Sequence, residues 1–146
     1  MDKKIAHAHC DGPCGIYDPA SARVAAEAVL SMTKKLAALT VPSTDDAAAY
    51  ASYSNTFSRY ITIKEEQAEL TKHELLILWT DYFKPKHLAD FPNLHETFWN
   101  AAKQCSECKQ HVEVAPAEKL LDMVKEIHEM FWKSKGRNVP WTTAAG

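Results

Sequence analysis

The longest uninterrupted helical pattern in the sequence runs over residues 45–83, a stretch that contains neither proline nor glycine. Apolar residues recur in it at a helical spacing: Ile63, Leu70 and Ile77. The stretch therefore predicts a long amphipathic helix, with Asn55-Thr56 as the candidate point of interruption. Lys84-Pro85 forces a break after it, because proline lacks the backbone N–H that a continuing helix needs.

Capping residues and prolines delimit a first helix before this stretch. Asp18 can accept a backbone hydrogen bond as the N-cap residue, and Pro19 follows where its missing N–H costs nothing. Small and apolar residues then recur every three or four positions until Pro42 and its polar neighbours end the pattern. Ser43 or Thr44 is the expected N-cap residue of the long helix.

Two more helices are predicted after the break. Pro92 is expected in the first turn of a third helix running towards Val112, and Pro116 opens a fourth. The fourth carries one apolar stripe: Leu120, Val124, Ile127 and Phe131. We interpret the large aromatic residues as core: Trp79, Phe98, Phe131 and Trp132. The pattern predicts an all-α fold, an antiparallel four-helix bundle over about residues 18–135, with a frayed tail at 136–146.

Composition and charge exclude several classes of function. The chain has 146 residues, the size of one domain, and its formal net charge of −2 is not gathered into blocks. Nucleic acid is therefore not an expected partner. No stretch approaches the roughly 20 apolar residues of a membrane span, and residues 1–8 lack the apolar run of a secretory signal. We expect a cytoplasmic protein with no membrane partner, whose cysteines are thiolates or metal ligands.

One short motif has the donors of a metal site. His9, Cys10 and Cys14 are compressed around Gly12-Pro13, so the backbone can fold two sulfurs and an imidazole around one point. A structural zinc site normally has four side-chain ligands, and only three are local here. If proteolysis frees the amine of His9, that amine, the Cys10 amide and two thiolates can share a plane, which is typical of divalent nickel or copper. The alternative is a reduced cysteine pair with adventitious metal binding.

Several segments of the sequence resemble one known family. They read HCDGPCGIYDP at 9–19, IKE at 63–65, LWTDYFKP at 78–85 and FW at 131–132. In this order they resemble nickel-containing superoxide dismutases, and the similarity extends from His9 to about Lys135. The first segment resembles the N-terminal metal-binding hook of that family.

The resemblance implies a fold, a cofactor and a ligand set. It implies a homohexamer of four-helix bundles, each with an N-terminal metal-binding hook and one nickel ion per subunit. The implied ligands are the amine and imidazole of His9, the amide and thiolate of Cys10, and the thiolate of Cys14.

The resemblance also implies processing and a reaction. Residues 1–8 would be a leader that a maturation protease removes between Ala8 and His9, leaving a mature domain at 9–146 with its hook at 9–17. The mature protein would convert two superoxide anions and two protons into dioxygen and hydrogen peroxide as nickel cycles by one electron. One rival function is a non-catalytic nickel or copper carrier with the same hook, and another is a helical interaction module.

Four further residues have roles by resemblance. Tyr17 and Tyr82 resemble the tyrosines that screen the open face of nickel, and Asp11 resembles the acidic residue that orders the hook. Lys84 corresponds to a nearby positive charge, which would raise the encounter rate of a small anion by electrostatic steering.

Two positions depart from the family pattern. In the family, a glutamate of the first helix, paired with an arginine of the second, supports the axial histidine, and the aligned residues here are Ala25 and Gln67. Because both partners of the ion pair are replaced together, no charge is left unpaired. A hydrogen-bond acceptor normally fixes a ligand imidazole, so the orientation of the His9 ring is left open.

Two other sets of residues are interpreted as structural. Cys105 and Cys108 form a Cys-x-x-Cys motif within a predicted helix, so reduced or incidentally paired cysteines are favoured over a redox or second-metal role. The remaining histidines lack paired metal spacing and are interpreted as solvated or hydrogen-bonded: His73, His87, His95, His111 and His128.

Overall fold

The computed structural model describes residues 14–144, and within them the chain forms four α-helices and no strand. The helices are α1 (Ala20–Ala37), α2 (Ala47–Ile77), α3 (Leu94–Gln110) and α4 (Val114–Ser134). Each helix packs against the next one in the chain, and α1 also packs against α4, which closes the bundle. The predicted all-α four-helix bundle is confirmed. None of these helices is long and apolar enough to cross a membrane.

The start of α2 differs from the prediction. We expected Ser43 or Thr44 as the N-cap residue, but the cap is Asp46, whose carboxylate accepts a hydrogen bond from the Ala49 N–H at 2.9 Å. The Ser43 hydroxyl oxygen instead accepts the N–H of Asp45 at 3.3 Å, within the turn before the helix. A carboxylate is a stronger acceptor than a hydroxyl, so the helix begins after Asp46.

The other helix boundaries lie close to the predicted ones. Asp18 was predicted as the N-cap residue of the first helix, but α1 begins at Ala20 and its N-cap residue is Pro19. The Asp18 carboxylate still accepts the Ala20 N–H at 2.8 Å, from one residue further back. Pro92 was predicted in the first turn of the third helix, but it precedes that helix, which begins at Leu94. Pro116 lies in the first turn of α4, where its missing N–H leaves no hydrogen bond unmade.

Helix α2 continues through Asn55-Thr56, so the candidate interruption is not present. Local propensity is a weak preference, and the helical hydrogen bonds on both sides outweigh it. After Ile77 the chain forms one π-helical turn, Leu78–Tyr82, and then a short 3₁₀ turn, Pro85–Ala89. Single π-helical turns occur frequently at functional sites, and this one carries Tyr82.

The apolar stripe predicted for α4 forms the centre of the bundle. Its four members are fully buried: Leu120, Val124, Ile127 and Phe131. Phe98 on α3 is buried with them, while Trp79 and Trp132 are partly buried against the same core. Because each buried side chain of this size contributes about 1.5–3 kcal/mol, this core is the main source of the bundle's stability.

A lysine in the middle of α2 is buried. The Lys64 side chain is 1% exposed, and its ammonium donates to three backbone carbonyls: those of Cys108 at 2.5 Å, Lys109 at 2.8 Å and His111 at 3.1 Å. The last carbonyls of a helix have no partner within the helix, and a cation there also offsets the helix dipole. Lys64 thus caps the C-terminus of α3 from a neighbouring helix. Removal from water lowers the pKa of its ammonium.

The first half of α2 carries an aromatic face that the bundle covers only in part. We call this face, Tyr50, Tyr53, Phe57 and Tyr60, the aromatic stripe. At 3.6 residues per turn it continues the side of α2 that is buried from Lys64 onward. Tyr53 lies 6.3 Å from Tyr50 and 5.8 Å from Phe57 between ring centroids, and Tyr50 and Phe57 remain 45% and 37% exposed. The stripe therefore extends a core-type surface beyond the part of α2 that the bundle buries.

The segment after α4 contacts the bundle over its described part. Residues 137–144 form no helix, yet Trp141 meets the ring of His128 edge-on at 5.3 Å. His128 Nε2 donates to the Val139 carbonyl at 2.9 Å, and the Ala144 N–H donates to Glu27 at 2.6 Å. An aromatic side chain and two hydrogen bonds therefore place residues 137–144 against the bundle, and the frayed tail at 136–146 stays a prediction.

Candidate metal centre

Cys14 is the predicted metal ligand that the structure describes. Its side chain is exposed and its thiol is free, so a sulfur donor is available outside the core. Gly15 follows with φ of 64°, a left-handed conformation that favours glycine, and turns the chain towards α1. The predicted ligands His9 and Cys10 and the predicted hook residue Asp11 lie outside the described residues.

Tyr17 and Tyr82, which are remote in the sequence, meet at one end of the bundle. Their ring centroids lie 5.7 Å apart at 54°. Tyr17 lies three residues after Cys14 and three residues before the start of α1, and Tyr82 ends the π-helical turn after α2. The two helix ends therefore bring the predicted tyrosine pair together beside the base of the N-terminal segment.

The Tyr82 ring is fixed by its contacts with the core. It lies 4.5 Å from the Phe131 ring and 4.9 Å from the Phe83 ring, between centroids. The Ser134 hydroxyl donates to the Phe131 carbonyl at 2.6 Å, so its oxygen accepts the Tyr82 O–H, also at 2.6 Å. The hydroxyl proton of Tyr82 is thus directed towards the end of α4.

Two lysines lie close to the tyrosine pair. Lys84 is exposed, and its ammonium donates to the Asp81 carbonyl at 2.7 Å. The ammonium of Lys135 lies 5.3 Å from the centre of the Tyr82 ring, within the range of a cation–π interaction. Lys84 was predicted from the sequence, whereas Lys135 was not. The only sequence signal for Lys135 was its position four residues after Phe131, a spacing that places Lys135 and Phe131 on the same side of a helix.

The positions that depart from the family pattern lie on α1 and α2. Ala25 is buried in α1, and Gln67 is partly buried in α2. A cavity of about 210 Å³ opens beside Tyr17, and its lining includes two carboxylates, those of Asp18 and Glu74. Acidic side chains are therefore present at this end of the bundle, although the predicted ion-pair positions hold none.

His87 has no specific role in the sequence-based prediction, although it contacts Tyr82 in the structure. Its imidazole stacks on Tyr82, with centroids 5.8 Å apart at 12°. Its Nδ1 accepts the backbone N–H of Lys84 at 2.9 Å. We had interpreted His87 as solvated or hydrogen-bonded, since one histidine without a paired ligand has no distinctive spacing.

Cys105 and Cys108 lie in the core of the bundle. Both are buried as free thiols, and Cys108 Sγ donates to the Pro116 carbonyl at 3.4 Å. Burial raises the pKa of Cys105 to about 12 and that of Cys108 to about 11. Thiols are reactive as thiolates, so the structural interpretation of this pair agrees with its surroundings.

The fold and the site together define a class of protein. Among residues 14–144, no three His, Cys, Asp or Glu side chains are grouped so that they could hold a metal ion. The end of the bundle nevertheless presents an exposed thiol, a tyrosine pair and two ammonium groups. The described residues thus form a four-helix bundle with a candidate site at the base of its N-terminal segment.

Comparison with known proteins identifies the family. Residues 4–135 match the family model of the nickel-containing superoxide dismutases. A superoxide dismutase [Ni] of Streptomyces seoulensis is 42% identical over 128 residues, covering 88% of each chain. One of Streptomyces coelicolor is 38% identical over 133 residues, covering 91% of this chain and 92% of the relative. The chain belongs to the nickel-containing superoxide dismutase family.

Solved structures of the family share this fold. A nickel-containing superoxide dismutase with the nickel ligation of the oxidized state superposes with a TM-score of 0.75 at 41% identity. The alignment covers 88% of this chain and 99% of the other. A native nickel superoxide dismutase structure gives a TM-score of 0.74 at 39% identity, with coverage of 87% and 99%.

Proposed function

We propose that this chain binds its nickel ion through His9, Cys10 and Cys14 and dismutes superoxide beside the Tyr17–Tyr82 pair. The reaction is that of its family: two superoxide anions and two protons give dioxygen and hydrogen peroxide. The observation that supports this location is the exposed thiol of Cys14, three residues before a tyrosine that contacts Tyr82. Membership of the family supports the dismutase and not the non-catalytic carrier.

The described part of the proposed ligand set fits nickel. Cys14 would supply a thiolate from an exposed position, and thiolate is a soft donor suited to transition-metal ions. When bound, nickel supplies a one-electron redox couple between its divalent and trivalent states. The remaining donors in the proposal are the amine and imidazole of His9 and the amide and thiolate of Cys10.

The other site residues would control access and charge. The rings of Tyr17 and Tyr82 narrow the approach to the base of the hook, and the contacts of Tyr82 with Phe131 and Ser134 keep its ring in place. Lys84 carries an exposed positive charge that would attract a small anion, and added salt would weaken this effect. We assign Asp11 the ordering of the hook, by its position between the two cysteines.

The leader provides the first test of this function. While residues 1–8 are attached, the nitrogen of His9 is a peptide amide, which is a much poorer donor than an amine. We expect protein cleaved between Ala8 and His9 to bind nickel stably and consume many equivalents of superoxide per metal. Intact protein should do neither. The measurement is a nickel titration of both forms that follows thiolate-to-nickel absorption and superoxide decay together.

Mass spectrometry of both samples is the necessary control, since a trace of cleaved protein would mimic activity of the intact form. Equal activity per nickel in verified, uncut protein would show that the His9 amine is not a ligand.

We further propose that the chain assembles as a homohexamer and that the aromatic stripe is part of its subunit contact. No residue from Ala47 to Tyr60 is buried within one chain. The tyrosine, serine, asparagine and threonine residues of this segment are only moderate helix formers, so helix propensity alone does not account for the stability of this part of α2. Isolated helices of this length are marginal in water. Residues 47–58 also carry no charge, so two copies of this surface can pair without like-charge repulsion.

Sedimentation velocity tests the assembly. We expect the wild-type protein to sediment with the mass of six chains, and a Tyr53→Glu/Phe57→Glu variant to sediment with a smaller mass, because two buried charges would oppose the contact. Asn55→Glu is the matched control, since Asn55 is exposed on the opposite side of the same helix. A double variant that keeps the six-chain mass would exclude the aromatic stripe from the interface.

A further inference from the structure

The turn between Tyr82 and α3 is built around one imidazole. The Lys84 N–H donates to His87 Nδ1 at 2.9 Å, and the His87 N–H donates to the Lys84 carbonyl at 2.9 Å. These two hydrogen bonds link the same two residues in opposite directions. A neutral imidazole has one acceptor nitrogen, so the proton of His87 lies on Nε2. An imidazolium has no acceptor and could not make the first bond.

The same imidazole contacts the tyrosine of the site. The His87 ring stacks on the Tyr82 ring, and it meets the Phe83 ring edge-on at 5.4 Å. Tyr82 also contacts Phe131 at 4.5 Å, so its ring is held by the turn as well as by the core. One residue therefore fixes both the backbone of Lys84 and the ring of Tyr82.

The charges around His87 disfavour its protonation. Burial lowers its pKa below the ordinary value of 6.5, the Lys86 and Lys84 ammonium groups lower it further, and Asp90 opposes them. From the end of α4, the Lys135 ammonium lies over the Tyr82 ring. His87 is consequently neutral at neutral pH, the state that the hydrogen bond from Lys84 requires.

We propose that His87 is a positioning residue whose neutral imidazole holds the turn that presents Tyr82 and Lys84 to the superoxide site. This role rests on the proposed function of Tyr82 and Lys84 and requires no contact between His87 and the metal. As the pH falls through the His87 pKa, protonation of Nδ1 removes the acceptor and releases the Lys84 N–H. Activity should therefore decline on the acid side of neutrality.

Two variants of His87 separate the effect of its hydrogen-bond acceptor from the effect of its protonation. The side-chain oxygen of asparagine can take the place of Nδ1, so His87→Asn should retain turnover near that of the wild type at neutral pH and lose less of it on acidification. His87→Leu removes the acceptor and should lower turnover about tenfold at every pH, because small displacements of site residues are costly. Superoxide decay of the nickel-loaded, cleaved proteins measures both, and unfolding curves confirm that each variant is folded.

Nuclear magnetic resonance of the nickel-free full chain gives a readout that does not depend on activity. In the wild type, the amide signal of Lys84 should shift with the same pKa as the ring protons of His87, and in His87→Asn this shift should be absent. A Lys84 amide signal that does not shift as His87 titrates would overturn the proposal. So would a His87→Leu variant with unchanged turnover. Failure of the wild-type enzyme to turn over would instead overturn the proposed function, and it would leave the amide result intact.

Discussion

Replacing Cys14 by serine is expected to reduce nickel-dependent superoxide consumption to the level of metal-free protein, a loss of more than about a hundredfold. Replacing a residue that only supports a metal ligand typically lowers metal affinity or activity 10- to 100-fold. A metal-bound thiol is ionised, whereas a serine hydroxyl stays protonated at neutral pH. The bundle should remain folded, because Cys14 is exposed and lies outside the apolar core. Stopped-flow superoxide decay, with nickel content measured on the same sample, tests the expectation.

Ile16→Ser is the matched control for this variant. Ile16 is 77% exposed and lies two residues further along the same segment, so it tests whether any polar substitution there impairs the site. Thermal unfolding of both variants should match that of the wild type. Near-full activity of Cys14→Ser with nickel still bound would mean that the Cys14 thiolate is not a ligand.

Replacing Lys64 by alanine is expected to lower the free energy of unfolding by about 2–4 kcal/mol, because leaving a buried acceptor without its donor costs about 1–3 kcal/mol. The ammonium of Lys64 donates hydrogen bonds to the carbonyls of Cys108, Lys109 and His111. Hydrogen bonds to charged groups stabilise more than those between neutral groups. The variant would leave these carbonyls without that donor. Chemical denaturation at a fixed protein concentration, followed by circular dichroism, measures the loss.

Lys72→Ala on the same helix is the control for Lys64. The Lys72 ammonium is only partly buried and reaches one hydroxyl, that of Ser106 at 3.4 Å, so its removal should cost less than about 1 kcal/mol. Lys64→Met, which keeps much of the volume but none of the donors, separates the hydrogen bonds from the packing. A loss below 1 kcal/mol in Lys64→Ala would show that water satisfies the carbonyls equally well.

The sequence by itself determined the helices, and it predicts the metal donors of the N-terminal motif. Helical periodicity is local, so the stripe of α4 could be assigned from spacing alone, and its residues are buried as predicted. The N-cap residue of α2 was predicted wrongly. Asp46 caps the helix in place of Ser43, because a carboxylate is a stronger acceptor than a hydroxyl. The donors of the hook could be predicted because His9, Cys10 and Cys14 are close in the chain, and this ligand set stays a prediction.

Only the tertiary structure decided which distant residues meet. Lys64 resembles any solvated helical lysine until the C-terminus of α3 is placed against it, more than forty residues away. His87 acquires a role because the turn folds its ring onto Tyr82, and Lys135 because α4 ends beside that same ring. Such contacts depend on how helices pack and where they end. Local periodicity does not encode these features, since it specifies which side of a helix is apolar but not which residue of another helix lies opposite.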